Sequence, residues 1–390
     1  MAEDFDPLAP EDFDSPHLTY ARLRRECPVA HSDAWGGFWA YTRHADVIAA
    51  AADSDLYITS KQNVVPKVAF TGRRPPLHLD PPEHTPYRRA LAPLLTPQRV
   101  SRYEPVIRSI CAELLSAMAA RGGGDICEEF SARMPIRVFN AWMNLPDAQA
   151  AELAEVGRRY NIAVQSNDME ATQQTSLRLY DMARAVVADR KRNPMDPSED
   201  ATSALLAARV DGVPLPDDMI VGTIRQVLVV GIIAPTVMIG SIAVHLSRHP
   251  ELQTRLRGNP GLVGAATEEF LRLYTPYRGF ARTATADVTL HGRTVPAGEP
   301  IALVYASANR DDAVFADAES FRLDRPNMHE SVAFGRGPHA CLGAALARLE
   351  MRVALEELLR HTPGGFELAG DIVPTRFPEI GALRVPLRFG

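Results

Sequence analysis

The chain has 390 residues, 46% of them hydrophobic, so it can bury a large core. Its formal net charge of −6, with no Lys/Arg run of the kind that forms a basic stripe to neutralise phosphates, argues against a nucleic-acid binder. Four widely spaced cysteines, Cys27, Cys111, Cys127 and Cys341, form no C-x-x-C pair, which argues against a zinc knuckle and a disulfide framework.

Residues 1–17 are acidic and proline-rich, with neither a cationic start nor an apolar run. Neither a secretory signal nor a membrane anchor is expected, and a cytoplasmic chain is. Apolar residues at three- and four-residue spacing predict helices over 45–52, 105–120, 148–160, 175–190, 217–247, 251–256 and 262–274. Short strands set off by Gly and Pro are predicted over 38–42, 288–290, 300–305 and 383–389. The linker-like segment 193–198 is too short to divide domains. The expectation is one domain over 1–390, mainly α with a smaller β portion.

The uncharged run 227–244 reaches the lower limit for a membrane span. Pro235 interrupts it and Asp217, Asp218 and Arg225 lie just upstream, so a buried central helix is expected, kinked at Pro235.

The chemistry concentrates in Phe334-Gly-Arg-Gly-Pro-His-Ala-Cys-Leu-Gly343, a glycine-rich loop that delivers Cys341 to the first turn of an amphipathic helix carrying Leu342, Leu346, Leu349 and Val353 on one stripe. A thiol there is favoured as thiolate by free backbone N–H groups and the helix dipole. Gly335, Gly337 and Gly343 let the backbone close against a flat ligand. From the residues alone, an inert buried thiol and a catalytic cysteine paired with histidine stay open.

Position for position, Phe334, Gly335, Gly337, His339, Cys341 and Gly343 resemble the haem-binding loop of the cytochrome P450 family. Glu269-Phe-Leu-Arg272 resembles the family's Glu-x-x-Arg pair, and Arg325 its third, structural, charge partner. Asp80-Pro-Pro-Glu-His-Thr-Pro-Tyr-Arg-Arg89 resembles the helix entry that supplies propionate partners; His84 and Arg88, four apart, share a helix face. Arg282 and His339 match the other propionate contacts. The resemblance runs from near Tyr20 to the C-terminal strands. It implies a triangular, mainly α fold with a long kinked helix over one haem b, and Cys341 as axial ligand of the iron. It further implies an oxygenase that inserts one atom of O2 into an organic substrate, by hydroxylation or oxidative dealkylation. With no flavin or iron–sulfur domain appended, electrons would come from a separate ferredoxin and a nicotinamide-dependent reductase.

The family's acid-alcohol pair for proton delivery is replaced by Ile233 and Ala234, neither of which carries a proton. Thr236, a candidate catalytic residue, lies two residues on and substitutes only if Pro235 distorts the turn. Three mechanisms follow: a substrate-assisted monooxygenase using water and a substrate hydroxyl, a peroxide-driven peroxygenase, or a non-catalytic haem-thiolate protein that binds a ligand. By resemblance the distal pocket is lined from 57–70, 161–174, 277–280 and 377–380, with Gly231, Ala234, Tyr277, Phe280 and Ile380 facing a mid-sized, partly polar or aromatic compound.

Overall fold

The uncharged run becomes the centre of the protein. The computed structural model describes residues 3–67, 71–166 and 168–390. In it the central segment is two helices, Asp217–Val230 and Ile233–Arg248, broken at Gly231 and Ile232 and not at Pro235 itself. A helical proline clashes with the carbonyl four residues back, here Gly231, and has no N–H to close that turn. The break therefore falls upstream, and Pro235 enters the first turn of the second helix, where its missing N–H is no loss. By length and composition the stretch Asp217–Arg248 would cross a membrane, yet 78% of its most apolar window is buried inside the protein, as a core helix requires.

Each half of this helix organises its own core. Ile233–Arg248 packs with Glu104–Ala119, Val263–Leu273 and Ala344–His361 around Ile107, Phe130, Ile239, Phe270 and Val353. Asp217–Val230 packs with Asp147–Gln165 and Met169–Arg192 around Leu153, Leu179, Ile224 and Leu228. A third core, with Trp39, Tyr41, Ile301 and Val332, lies on a five-stranded sheet. Its strand order is Val29–Ser32, Phe38–Tyr41, Pro300–Leu303, Phe280–Ala284, Tyr57–Ile58, and only Phe38–Tyr41 beside Pro300–Leu303 is parallel. The cysteine loop runs from this third core at Val332 to the first at Leu346, so two rigid bodies hold its ends.

Two elements outgrow their sequence patterns. The helices expected over 148–160 and 175–190 extend to Asp147–Gln165 and Met169–Arg192, the latter capped by the Asp168 carboxylate accepting the Ala171 N–H at 2.9 Å. The strand expected over 383–389 is two, Ala382–Arg384 and Pro386–Phe389, in different sheets. Val385 between them gives its N–H to the Asp125 carboxylate at 3.1 Å and so leaves the ladder.

Glu350, on Ala344–His361, is 3% exposed, and burial pushes its pKa from 4.5 up to about 8. A carboxyl whose folded pKa is raised binds its proton more tightly when folded, so its contribution is fully present below pH 4.5 and is lost as pH rises to 8. The slope is at most ~1.4 kcal/mol per pH unit. Glu350→Gln is expected to match wild type in thermal unfolding near pH 5 and to be the more stable by a few degrees near pH 8; parallel pH profiles would refute this.

Candidate active site

The loop that carries Cys341 is held from behind by a buried charge cluster. Glu269 and Arg272, three residues apart on Val263–Leu273, are both completely buried and form two parallel bonds of 2.8 and 2.7 Å. Arg325 closes on the same carboxylate from Nε at 2.8 Å. Arg272 also donates to the carbonyls of Asn309 and Ala318, at 2.7 and 2.8 Å. Asn309, itself fully buried, receives the Val332 N–H on Oδ1 at 2.8 Å. One chain of bonds thus runs from Glu269 to the first residues of the loop. Asn309 is a positioning residue that sequence reading missed, because a lone Asn in a turn carries no pattern.

From Val332 the loop folds on itself. Gly335, at φ +71°, returns its N–H to the Val332 carbonyl at 2.9 Å, and Cys341 donates its N–H to Phe334 at 2.8 Å. Gly337, at φ +68°, presses on the helix His44–Ala52 so closely that a Cβ would stand 2.3 Å from the Ala51 carbonyl. Phe334 rests on the first core under the Arg348 guanidinium, 4.5 Å from its ring centre. The helix starts at Ala344 with Gly343 as its cap, so Cys341 lies two residues ahead of the cap and not within the first turn as the sequence suggests. The Gly337–His339 turn and the bond to Phe334 hold it there, with its thiol near the Gly343 amide. Burial pushes the thiol pKa up, while the Gly343 N–H, Arg88 and Arg348 pull the other way. Though deep in the protein, the Cys341 side chain keeps open surface.

Around the same loop stand the four donors named from sequence. Arg88 gives Nη2 to the Ala340 carbonyl at 2.7 Å, and His84 Nε2 lies 3.3 Å from the Pro338 carbonyl. The His84 and His339 rings are 5.0 Å apart, and His339 Nε2 is 3.3 Å from the Thr59 hydroxyl. Buried Arg282 donates Nη1 to the Ala281 carbonyl at 2.9 Å. Burial, helped by Arg282 and His84, pushes His339 down to about 3, so it is neutral. Among the described residues neither Arg88 nor Arg282 has a carboxylate partner. These donors therefore suit a ligand that brings its own carboxylates. No group of three or more His, Cys, Asp or Glu among the described residues would hold a metal alone, so Cys341 suits an iron whose other ligands come from a porphyrin. Gly343 fits as well: the only atom a Cβ there would meet within 4 Å is Cys341 Sγ, at 3.9 Å. The residues present fit a haem.

Comparisons with known proteins agree with this geometry. The family model for cytochrome P450 matches residues 261–368, which span the charge cluster and the loop. Cytochrome P450 130 of Mycobacterium tuberculosis is 31% identical over 384 residues, covering 95% of this chain and 93% of that protein. The chain belongs to the cytochrome P450 family. It is therefore an oxidoreductase of the monooxygenase type that binds haem iron. The mycinamicin IV hydroxylase/epoxidase of Micromonospora griseorubida is 34% identical over 362 residues, covering 90% of this chain and 88% of that one. The structure of cytochrome P450 CYP109Q5 from Chondromyces apiculatus superposes with a TM-score of 0.87 at 28% identity, covering 99% and 98% of the two chains.

The distal side of this P450 departs from its family at the helix break. Ile233 and Ala234 open the second half of the central helix, and the side of Gly231 where a side chain would stand is filled by Phe139, at 2.8 Å from an ideal Cβ. The Cβ side of Gly231 is thus a packing position. Thr236 is 4% exposed, and its hydroxyl lies 2.9 Å from the Ser131 carbonyl and 2.8 Å from that of Ile232. With its one proton directed to backbone carbonyls, it is poorly placed as the relay suggested by sequence. Thr236→Val is expected to leave the ratio of product to reductant unchanged while costing ~1 kcal/mol of stability for the lost bond. A large drop in that ratio would reinstate Thr236 as a relay. The Tyr277 and Phe280 rings pack 4.4 Å apart, tilted by 50°, and the buried Ile380 donates its N–H to the Pro276 carbonyl at 3.0 Å, tying the C-terminal loop beside them. Beside them Gln165 donates to the buried Glu379 carboxylate at 2.5 Å. Of the segments expected to line the pocket, residues 68–70 and 167 lie outside the described residues.

Proposed function

We propose that this P450 is a haem b monooxygenase of one catalytic domain, cytoplasmic, with Cys341 as the iron's axial ligand and electrons from a separate ferredoxin and nicotinamide-dependent reductase. The observation that carries this reading is the coincidence, around one loop, of the Cys341 thiol with His84, His339 and two arginines, Arg88 and Arg282, that among the described residues have no carboxylate partner. When bound, the haem supplies the redox chemistry that places one atom of O2 in an organic substrate.

The chain's own residues then have separate tasks. Arg88, Arg282, His84 and His339 would hold the two propionates of a bound haem, the neutral His339 as a hydrogen-bond donor. Gly343 and Gly335 allow close approach of the ring, and the Gly343 N–H tempers the sulfur's negative charge. Phe280, Tyr277, Ala234 and Ile380 shape the substrate side, where hydroxylation and oxidative dealkylation require the same positioning. A peroxide-driven route is favoured by one particular observation: Ile233 and Ala234 carry no proton and the Thr236 hydroxyl is bound to backbone. Hydrogen peroxide brings its own protons and electrons, so that route needs neither relay nor reductase.

The test is the absorption spectrum of the reduced protein under carbon monoxide, followed by turnover with ferredoxin plus reductase against hydrogen peroxide. A strongly red-displaced Soret band is expected, with substrate-dependent product from one of the two drivers. Haem without the displaced band removes the thiolate assignment; the displaced band without product from either driver leaves a ligand-binding protein.

A further inference from the structure

Two arginines buried together have no counter-ion among the described residues. Arg225, on Asp217–Val230, is fully buried; its Nη2 donates to Ser176 Oγ at 2.7 Å, and its Nε and Nη1 have no partner. Arg74 is 8% exposed and donates to His78 Nε2 at 2.9 Å. Among the described residues neither is ion-paired with a carboxylate. The Tyr160 and Tyr180 ring centres lie 5.2 and 5.8 Å from the Arg225 guanidinium carbon. Burial alone would raise the Tyr160 phenol, yet Arg225 and Arg74 beside it hold its pKa below the usual value. Burial and Arg225 in turn push Arg74 down to about 10.

The arrangement is built, not incidental. Gly222, three residues before Arg225, admits the Arg73 carbonyl to within 2.1 Å of where a Cβ would stand, which brings Arg74 in over the helix. The Tyr180 hydroxyl donates to that same carbonyl at 3.1 Å, in space that Gly72 leaves open. A cation stacked on aromatic rings recovers part of its lost hydration, but two adjacent cations, one of them with unpartnered N–H groups, are costly to bury unless an anion joins them.

Of the pair, Arg74 lines a cavity of about 390 Å³ whose walls carry Lys61, Lys67 and Arg73 as well as Asp80 and Glu83, a size that holds a mid-sized organic molecule. Five residues beyond Tyr160 in the same helix, Gln165 donates to Glu379, which in turn bridges to Tyr277.

We infer that Arg74, Arg225 and Tyr160 form the recognition site for the carboxylate of an organic acid. This rests on the monooxygenase reading above for the fate of that acid, but not for its binding. The experiment is calorimetric titration of the holoprotein with carboxylates from 4-phenylbutyrate to laurate, each beside its methyl ester. At least one acid is expected to bind tenfold or more tightly than its ester. Arg225→Met and Arg74→Gln should each abolish the preference while leaving the carbon monoxide spectrum unchanged. Ligand-free Arg225→Met should also unfold at a higher temperature than wild type, because an uncompensated buried charge is gone. No binding by any acid, equal affinity for acids and esters, a preference that survives both substitutions, or a lower unfolding temperature for Arg225→Met would each overturn the proposal. Because calorimetry needs no turnover, a carboxylate preference in a protein without the displaced Soret band would sink the monooxygenase reading alone.

Discussion

Cys341→Ala is expected to remove the red-displaced band of the reduced carbon monoxide complex and to lower oxygen insertion by roughly a thousandfold or more, ~4 kcal/mol of barrier. No other cysteine is placed to take over. Cys111 and Cys127 lie in the first core with thiols pushed up by burial, and Cys27 bonds Arg293 beside Asp4. The loss is chemical and not structural, because the loop is held by Gly335, Gly337, the Phe334–Cys341 backbone bond and Asn309. The Cys341 side chain adds only its contact with the Gly343 amide, a bond worth ~1 kcal/mol. Thermal unfolding of the haem-free variant should therefore stay near that of haem-free wild type while turnover vanishes. Cys341→His separates ligation from charge: a neutral imidazole can hold iron but does not push electron density as a thiolate does, so haem returns without the displaced band. Wild-type turnover by either variant would discard Cys341 as the axial ligand.

What the sequence made legible was local chemistry on one short stretch: the Phe334–Gly343 loop, the Glu269–Arg272 pair, and His84 with Arg88. Each can be read because the fold needs those residue types at fixed spacing. The helices 105–120 and 262–274 were equally plain, since their apolar faces pack inward at helical period. What escaped depends on partners far along the chain. The break moved to Gly231 because the clash from Pro235 acts four residues upstream, and because Phe139 fills the space beside Gly231. Arg225 reads in sequence as the charged flank of an apolar run; only packing against Tyr160, Tyr180 and Arg73 makes it fully buried. Asn309 matters through Val332, 23 residues away, and Glu379 through Gln165, 214 residues away. The Thr236 hydroxyl was weighed as a relay because sequence does not show that the Ser131 carbonyl stands beside it.

The same long-range logic sets the largest stability effect. In Glu269→Gln, Arg272 and Arg325, whose side chains are 0% and 2% exposed, would keep their charges with no carboxylate between them. The Arg322 N–H, which now donates to Glu269 Oε1 at 2.9 Å, would still find an amide oxygen. The deficit is therefore specifically one of charge. Removing one partner of a buried pair costs about 3–5 kcal/mol, because the remaining ions stay desolvated without compensation. Glu269→Asp keeps the charge but shortens the reach and should fall between. The damage would not stay local: Arg272 braces the Asn309 and Ala318 carbonyls, and Asn309 holds Val332 at the start of the cysteine loop. Haem retention should fall along with thermal stability, so gel-filtered Glu269→Gln is expected to show a lower ratio of Soret to protein absorbance and a lower unfolding midpoint. If the midpoint dropped but the haem stayed fully bound, the cluster would support the core without bracing the loop. An unchanged midpoint would mean that Arg272 and Arg325 find other compensation, and the cluster would lose its role as the loop's anchor.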